Sequence, residues 1–230
     1  YPGSLFAVVA QMRQILADAQ REAHPAAEGK NPLAKALTPV VNREMPVLFQ
    51  ADTAEEIYRA LNFRDEFGFN VIFAQGREAA KHAATLAQQN VPVIATLSLP
   101  VKPVQGDSLT NVIPEPILQE RIKDWEDRMR NVADLEKAGV KLALTLTGTN
   151  SSDFLSNIRE LLANGLTRDG ALKALTQNPA EILGIEGQYG SLAVGRPASL
   201  TILTGDLGSS SAKVHAVVVQ GRWVAQTESK

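Results

Sequence analysis

The chain has 230 residues, 44% hydrophobic and 21% charged, with a formal net charge of −2, the composition of a folded globular protein with a sizeable core. So balanced a charge with only 5% aromatics offers neither a basic field nor a stacking platform for nucleic acid, and no apolar run is long enough for a membrane span. Cysteine is absent, which removes disulfides, thiolate metal ligands and thiol nucleophiles but leaves the compartment open.

The sequence opens Tyr1-Pro2-Gly3 without Met or a signal-like segment and reads as part of something longer. Ser4 is placed to cap a helix over 4–23, with Leu5, Val8, Val9, Met12, Ile15 and Leu16 on one stripe. His24-Pro25 ends it, because a residue before proline is pushed out of the α region. A polar loop to Lys30 leads to a second expected helix over 33–42.

A strand–helix rhythm follows. Strands are expected over 46–51, 71–75, 91–97 and 140–147, each bounded by turn residues. Between them lie a helix over 53–67, an Ala-rich helix over 77–89 and a charged amphipathic helix over 117–137. Thr53 and Glu56 stand at capping-box spacing at the start of the first. Residues 100–116 form a long Pro-containing loop, a length that in a compact domain signals function or mobility. After the fourth strand come a Gly148-Thr149-Asn150 turn and helices over 154–163 and 167–183, with a kink expected at Asn178-Pro179.

From residue 184 the texture changes to short β segments over 190–194, 198–204 and 214–224, punctuated by Gly195, Gly205 and Gly221. The expected organisation is therefore an α/β region, 1–183, followed by β strands, 184–230. Four β/α units make half of an eightfold TIM-type barrel, or a small open sheet. A half-barrel leaves two sheet edges and one apolar face unpaired, so an N-terminal barrel half, a partner chain or a second copy is implied. In parallel α/β folds ligands gather at the C-terminal ends of strands, which makes Asn150 a candidate site residue.

The run Gly165-Leu166-Thr167-Arg168-Asp169-Gly170-Ala171-Leu172, continuing through Asn178-Pro179-Ala180-Glu181-Ile182-Leu183-Gly184 to Gly190-Ser191-Leu192 and Gly195-Arg196-Pro197-Ala198, resembles the C-terminal signature of the amidohydrolase superfamily. The likeness is to imidazolonepropionase- and dihydroorotase-like metal-dependent hydrolases. Val214 to Val224, with Gly221-Arg222, is similar to the last strands of that family's small composite β-sandwich. The resemblance implies that the four strands are the fifth to eighth of the barrel. It also implies hydrolysis of non-peptide C–N bonds through one or two divalent metals, typically zinc. The implied ligands are a His-x-His on the first strand, often a bridging Lys, one His on each of the fifth and sixth strands, and an Asp after the eighth that also acts as base.

Carried over position by position, the fifth-strand His-Ala-Asp pattern falls on Gln50-Ala51-Asp52, the sixth-strand His-Gly on Gln75-Gly76, and the Gly-Thr-Asp turn on Gly148-Thr149-Asn150. No His-x-His occurs. Amide oxygens are poor zinc ligands, and Asn150 has the shape of Asp without its basicity, so no metal cofactor is expected for this chain. Gln50, Gln75 and Asn150 are instead candidates to hydrogen-bond a small polar ligand, or to satisfy one another or water. Asp52 and Asp153 could hold an oxygen-liking cation weakly, but the plainer reading has Asp52 leading into its helix cap and Asp153 beginning the next helix.

Other chemistry is not encoded. His24, His82 and His215 are scattered and read as surface or packing residues. There is no Gly-x-Ser-x-Gly elbow and no phosphate loop. Lys123, Asp124, Glu126, Asp127, Arg128 and Arg130 read as a solvated helix face, with Ile122, Trp125 and Met129 as its packed stripe. Three functions stay open: a noncatalytic barrel domain, an active hydrolase completed by an N-terminal segment, and a ligand-binding or scaffolding module.

Overall fold

The structure, a computed structural model, describes residues 3–24, 31–106 and 112–226. The expected loops therefore lie partly outside the described residues, at 25–30 and 107–111. Four parallel strands, β1 (Val47–Ala51), β2 (Val71–Gln75), β3 (Val93–Thr96) and β4 (Leu142–Thr145), lie in the order β1-β2-β3-β4. Parallel neighbours need crossover connections, and helices supply them. They are α4 (Ala54–Phe67) after β1, α5 (Ala83–Gln88) after β2 and α6 (Glu115–Lys137) after β3. A second sheet of antiparallel β5 (Leu200–Leu203), β6 (Val214–Val219) and β7 (Arg222–Gln226) closes the chain. This is a partial TIM-type barrel followed by a small β piece.

Helix α1 (Leu5–Glu22) begins where expected, with the Ser4 hydroxyl accepting from the Ala7 amide at 3.3 Å. It packs on α4, where Arg13 pairs with Glu66 at 2.9 Å and lies over the Phe63 ring. The capping box of α4 is formed in full by Thr53 and Glu56, and Gly68 closes the helix in the left-handed region at φ 74°. Ile57, Phe73, Leu86, Val93, Leu97, Leu135, Ile158 and Leu161 are fully buried between sheet and helices. Strand β1 is covered on one face only: Val47, Phe49 and Ala51 join the core, whereas Leu48 is 61% exposed.

Four expected elements differ, for identifiable reasons. The helix over 33–42 is two short ones, α2 (Pro32–Ala36) and α3 (Thr38–Val41), and that over 167–183 is α8 (Arg168–Leu175) and α9 (Gln177–Ile182). A proline ring clashes with the carbonyl four residues before it, so Pro39 and Pro179 stop the preceding helices near Lys35 and Leu175. The second break accordingly falls at Thr176 (φ −132°, ψ −77°), ahead of Asn178. The Ala-rich segment after β2 is a 3₁₀ turn (Ala79–His82) before α5, because His82 is drawn aside to the Ala54 carbonyl at 2.9 Å and stacks on Tyr58. Residues 190–194 form a turn and no strand. Gly190, at φ 88°, approaches α9 so closely that a Cβ would lie 2.9 Å from the Thr176 carbonyl oxygen.

The segment 214–224 divides into β6 and β7 at a two-residue hairpin, Gln220-Gly221, both with positive φ. Gly221, expected as punctuation of this segment, is the second residue of that turn. Helix α7 (Phe154–Ala163) has the bounds expected. Arg168 of α8 reaches Asp206 at 3.0 Å, and Arg159 of α7 reaches the Ser209 carbonyl at 3.5 Å, so the helices after β4 touch the loop after β5.

Candidate functional site

The C-terminal ends of β1–β4 are fixed by buried amides reaching in from the helices. Asn131 of α6, 4% exposed, accepts from the Ala80 amide at 2.8 Å and donates to the Gly76 carbonyl at 2.9 Å. It thereby holds the turn that leaves β2. Asn157 of α7 donates to the Leu97 carbonyl at 2.9 Å and to Thr149 Oγ1 at 3.3 Å, which pins the Gly148-Thr149-Asn150 turn against β3. Thr96, also buried, donates to the Thr147 carbonyl and accepts from the Ser98 amide. Buried polar groups are paired in stable folds, and these pairings make the strand ends a rigid platform.

On this platform the three candidate amides are spread out. Gln50 is exposed on edge strand β1, opposite Ala74 of β2. Gln75 ends β2, opposite Ala51 and Ala95, with a left-handed φ of 76° followed by Gly76 at 58°. Asn150 is exposed beyond β4, at the other edge of the sheet, leading into a 3₁₀ turn (Ser151–Asp153) without capping it through its side chain. Among the described residues no hydrogen bond links the three side chains.

Asp52 is the candidate that finds a partner. Its Oδ2 lies 3.0 Å from Arg77 Nη1, while its Oδ1 is buried without a hydrogen bond. Its backbone amide donates to Glu56, and its carbonyl accepts from the Glu78 amide at 2.9 Å, so it does lead into the α4 cap. Glu78 is a second carboxylate here that sequence reasoning missed. It accepts from the Ala54 amide at 3.2 Å, from Lys81 at 3.1 Å and from Arg128 at 3.4 Å. Burial pushes its pKa up, but the Ala54 amide, Lys81 and Arg128 outweigh that and hold the carboxyl below its usual range. The Thr53 and Asp52 amides likewise lower Glu56.

Arg128 was expected on a solvated face, and its pairing with Asp124 one turn back at 3.1 Å fits that. Its reach to Glu78, fifty residues earlier, is a tertiary contact with no local signal. Asp153 sits at the start of α7, bonded by the Ser152 hydroxyl at 3.1 Å. Among the described residues, no group of three His, Cys, Asp or Glu is disposed to hold a metal ion.

Two cavities differ in place and size. A small one of about 20 Å³ lies at the C-terminal ends, between β2, β3 and α6, and Gln75 contributes to it. A larger cleft of about 350 Å³ lies at the opposite end, where Pro46, Asn70, Pro92 and Lys141 begin the strands. The larger is remote from the strand ends at which barrel chemistry is built.

Residues 23–224 match the sequence profile of the amidohydrolase family. No curated protein matches the chain. Among solved structures it is similar to an amidohydrolase from Thermotoga maritima MSB8, at 26% identity and a TM-score of 0.69, over 96% of this chain and 54% of that one. It is similar in fold to a putative prolidase from Bifidobacterium longum, at 22% identity and a TM-score of 0.55, over 80% and 48%. An adenosine deaminase from Xanthomonas campestris with bound zinc shares the fold at 20% identity and a TM-score of 0.52, over 78% and 45%. The chain thus spans about half the length of each of these proteins. With nearly its whole described length inside the family profile and a parallel sheet of the matching architecture, the chain belongs to the amidohydrolase family.

Proposed function

We propose that this chain is a noncatalytic part of an amidohydrolase-like barrel, in which residues 1–183 supply the C-terminal four β/α units and residues 184–230 supply strands of a small composite sandwich. The family is generally metal-dependent, and the residues at these strand ends do not fit a divalent ion. Asp52 and Glu78 are already paired with Arg77, Lys81 and Arg128, and a guanidinium beside a carboxylate disfavours a second cation there. Gln50, Gln75 and Asn150 offer only neutral amide oxygens.

The observation that carries this reading is Asn150. Metal-assisted hydrolysis needs a ligand that also takes a proton from the attacking water, and an exposed amide in that turn supplies neither function. The strand ends then serve to bind a small polar ligand, beside an N-terminal barrel half, a partner chain or a second copy. Elemental analysis of the purified chain tests this. Zinc, iron and manganese are expected well below one equivalent; one equivalent retained through purification and lost in Asp52→Asn would overturn the proposal.

The coverage of only 54% of the Thermotoga structure favours a second reading, a working hydrolase of non-peptide C–N bonds whose metal is held by an N-terminal segment. In that case a longer protein containing this chain shows chelator-sensitive hydrolysis of cyclic amides or ureas. Absence of any such activity would exclude it.

A further inference from the structure

We propose that two copies of this chain close one eight-stranded barrel, β1 of each joining β4 of the other, and that this closure assembles the strand-end site. The closure rests on the reading above that residues 1–183 are four β/α units of a barrel, and it makes a second copy the partner.

The two faces of the parallel sheet differ. Side chains under the helices, from Val47, Phe49 and Phe73 to Leu142 and Leu144, belong to the core or pack against it. Their alternates, Leu48, Gln50, Ala74, Ile94, Ala143 and Thr145, stand on the opposite face and outside that core. Leu48 and Gln50 are exposed, and Ala74, Ile94 and Thr145 are half-buried. None of the six carries a charge, so two such faces meet without burying one.

The two edges of the sheet fit each other. Val47 and Ala51 bond toward β2, so the backbone groups of Leu48 and Gln50 point away from the sheet. Lys141 and Thr145 bond toward β3, so those of Leu142 and Leu144 point outward from β4. Gln50, Ala74, Ile94 and Ala143 stand in register across the four strands. A parallel eight-stranded barrel closes with a shear of about eight residues, about four for each half. The right-handed strand tilt therefore carries this row back from Gln50 to Pro46 of the second copy, beside Ala143, and sets Thr145 beside Leu48. In that register the Leu48 amide donates to the Leu144 carbonyl, and the Leu144 and Leu146 amides donate to the Pro46 and Leu48 carbonyls across the seam. The Leu142 carbonyl faces Pro46, which has no N–H to give. Asn178 already serves that carbonyl, at 2.8 Å.

The second copy also completes the candidate site. Within one copy Gln50 and Asn150 lie at opposite edges of the sheet. Closure sets Gln50 of each copy on the strand next to the one that leads to Asn150 of the other. The chain spans about half of each solved relative, the share that two copies make whole.

The chain has no cysteine, so a paired substitution reads the seam directly. Leu48→Cys with Thr145→Cys places a thiol on each edge. Within one copy the two are three strand spacings apart, about 14 Å and too far for a disulfide, whereas across the closed seam they are neighbours. Light scattering on the 230-residue chain is expected to give twice the 24.7 kDa mass of one copy. Mild oxidation of the double variant is expected to give a single covalent dimer on a non-reducing gel, and neither single substitution crosslinks. Leu48→Pro removes an edge N–H without touching the β1–β2 ladder and raises the dimer Kd about tenfold or more. Near-UV circular dichroism of Trp125, whose indole donates to the Pro100 carbonyl, reports that each variant keeps its fold.

A monomer, the result if only an N-terminal barrel half covers these edges, would overturn the closed dimer and leave the metal-free reading intact. So would a ladder of higher covalent species, the mark of open head-to-tail joining. One equivalent of zinc, iron or manganese in a sample that still dimerises would overturn the metal-free reading and leave the closure standing.

Discussion

Asn131 closes on the Gly76 carbonyl at 2.9 Å from the far side of the β2 turn, and its other amide atom takes the Ala80 N–H. One side chain thus ties together two backbone groups of the turn out of β2. Asn131→Ala leaves the partly buried Ala80 amide unpaired and the Gly76 carbonyl with the Ala79 N–H alone, at 3.1 Å, and is expected to cost about 1–2 kcal/mol. Urea denaturation checks it, with an unchanged m-value expected if the loss is confined to this turn.

The Gly148-Thr149-Asn150 turn depends in the same way on Asn157, which joins it to the Leu97 carbonyl. Asn157→Ala is expected to free the turn without unfolding the sheet. Hydrogen exchange should quicken at Thr149 and Asp153, whose amides donate within this segment, while Leu142–Thr145 stays protected.

Glu78 makes the strand ends sensitive to acid. Its carboxyl is held below the ordinary glutamate pKa, so its stabilising effect is complete above about pH 4.3 and is lost as pH falls through the lower folded-state value. Wild-type stability should therefore drop below pH 4 more steeply than that of Glu78→Gln, which lacks the titrating group. Urea midpoints measured between pH 6 and pH 3 should converge for the two proteins at the acid end.

Gly190 tolerates no side chain. Its φ of 88° is left-handed, and a Cβ would meet the Thr176 carbonyl oxygen at 2.9 Å and the Ala180 Cβ at 2.7 Å. Gly190→Ala is expected to destabilise by about 1–3 kcal/mol. Adding Ala180→Gly should recover only part of that, because the backbone contact and the strained φ persist. Thermal unfolding of the two variants decides the point.

Much of the scaffold was legible because its signals are local. Thr53 and Glu56 mark the start of α4 by their spacing, and Val71–Gln75 is bounded by turn residues on both sides. The helix breaks were half legible: Pro179 announced one, but the steric rule places it four residues upstream, at the end of α8. The 3₁₀ turn at Ala79–His82 was not legible, because a bond from His82 to a carbonyl twenty-eight residues earlier overrides helix propensity. The site followed the same division. Gln50, Gln75 and Asn150 could be picked out by motif, whereas the Arg77–Asp52 pair and the Glu78–Arg128 contact exist only once β1, β2 and α6 are brought side by side.

The 350 Å³ cleft at the start of the strands has a practical corollary. Its rim is largely polar and charged, with Arg64, Asn70, Gln89, Asn90, Lys141 and Glu181, while Leu86 and Val91 beneath are almost fully buried, so a fragment screened by crystallography would be held there by polar contacts of little selectivity. Hits found there would speak to the protein's underside alone. A weak occupant of the strand ends near Asn150 would say more about this protein than a tight one beside Lys141.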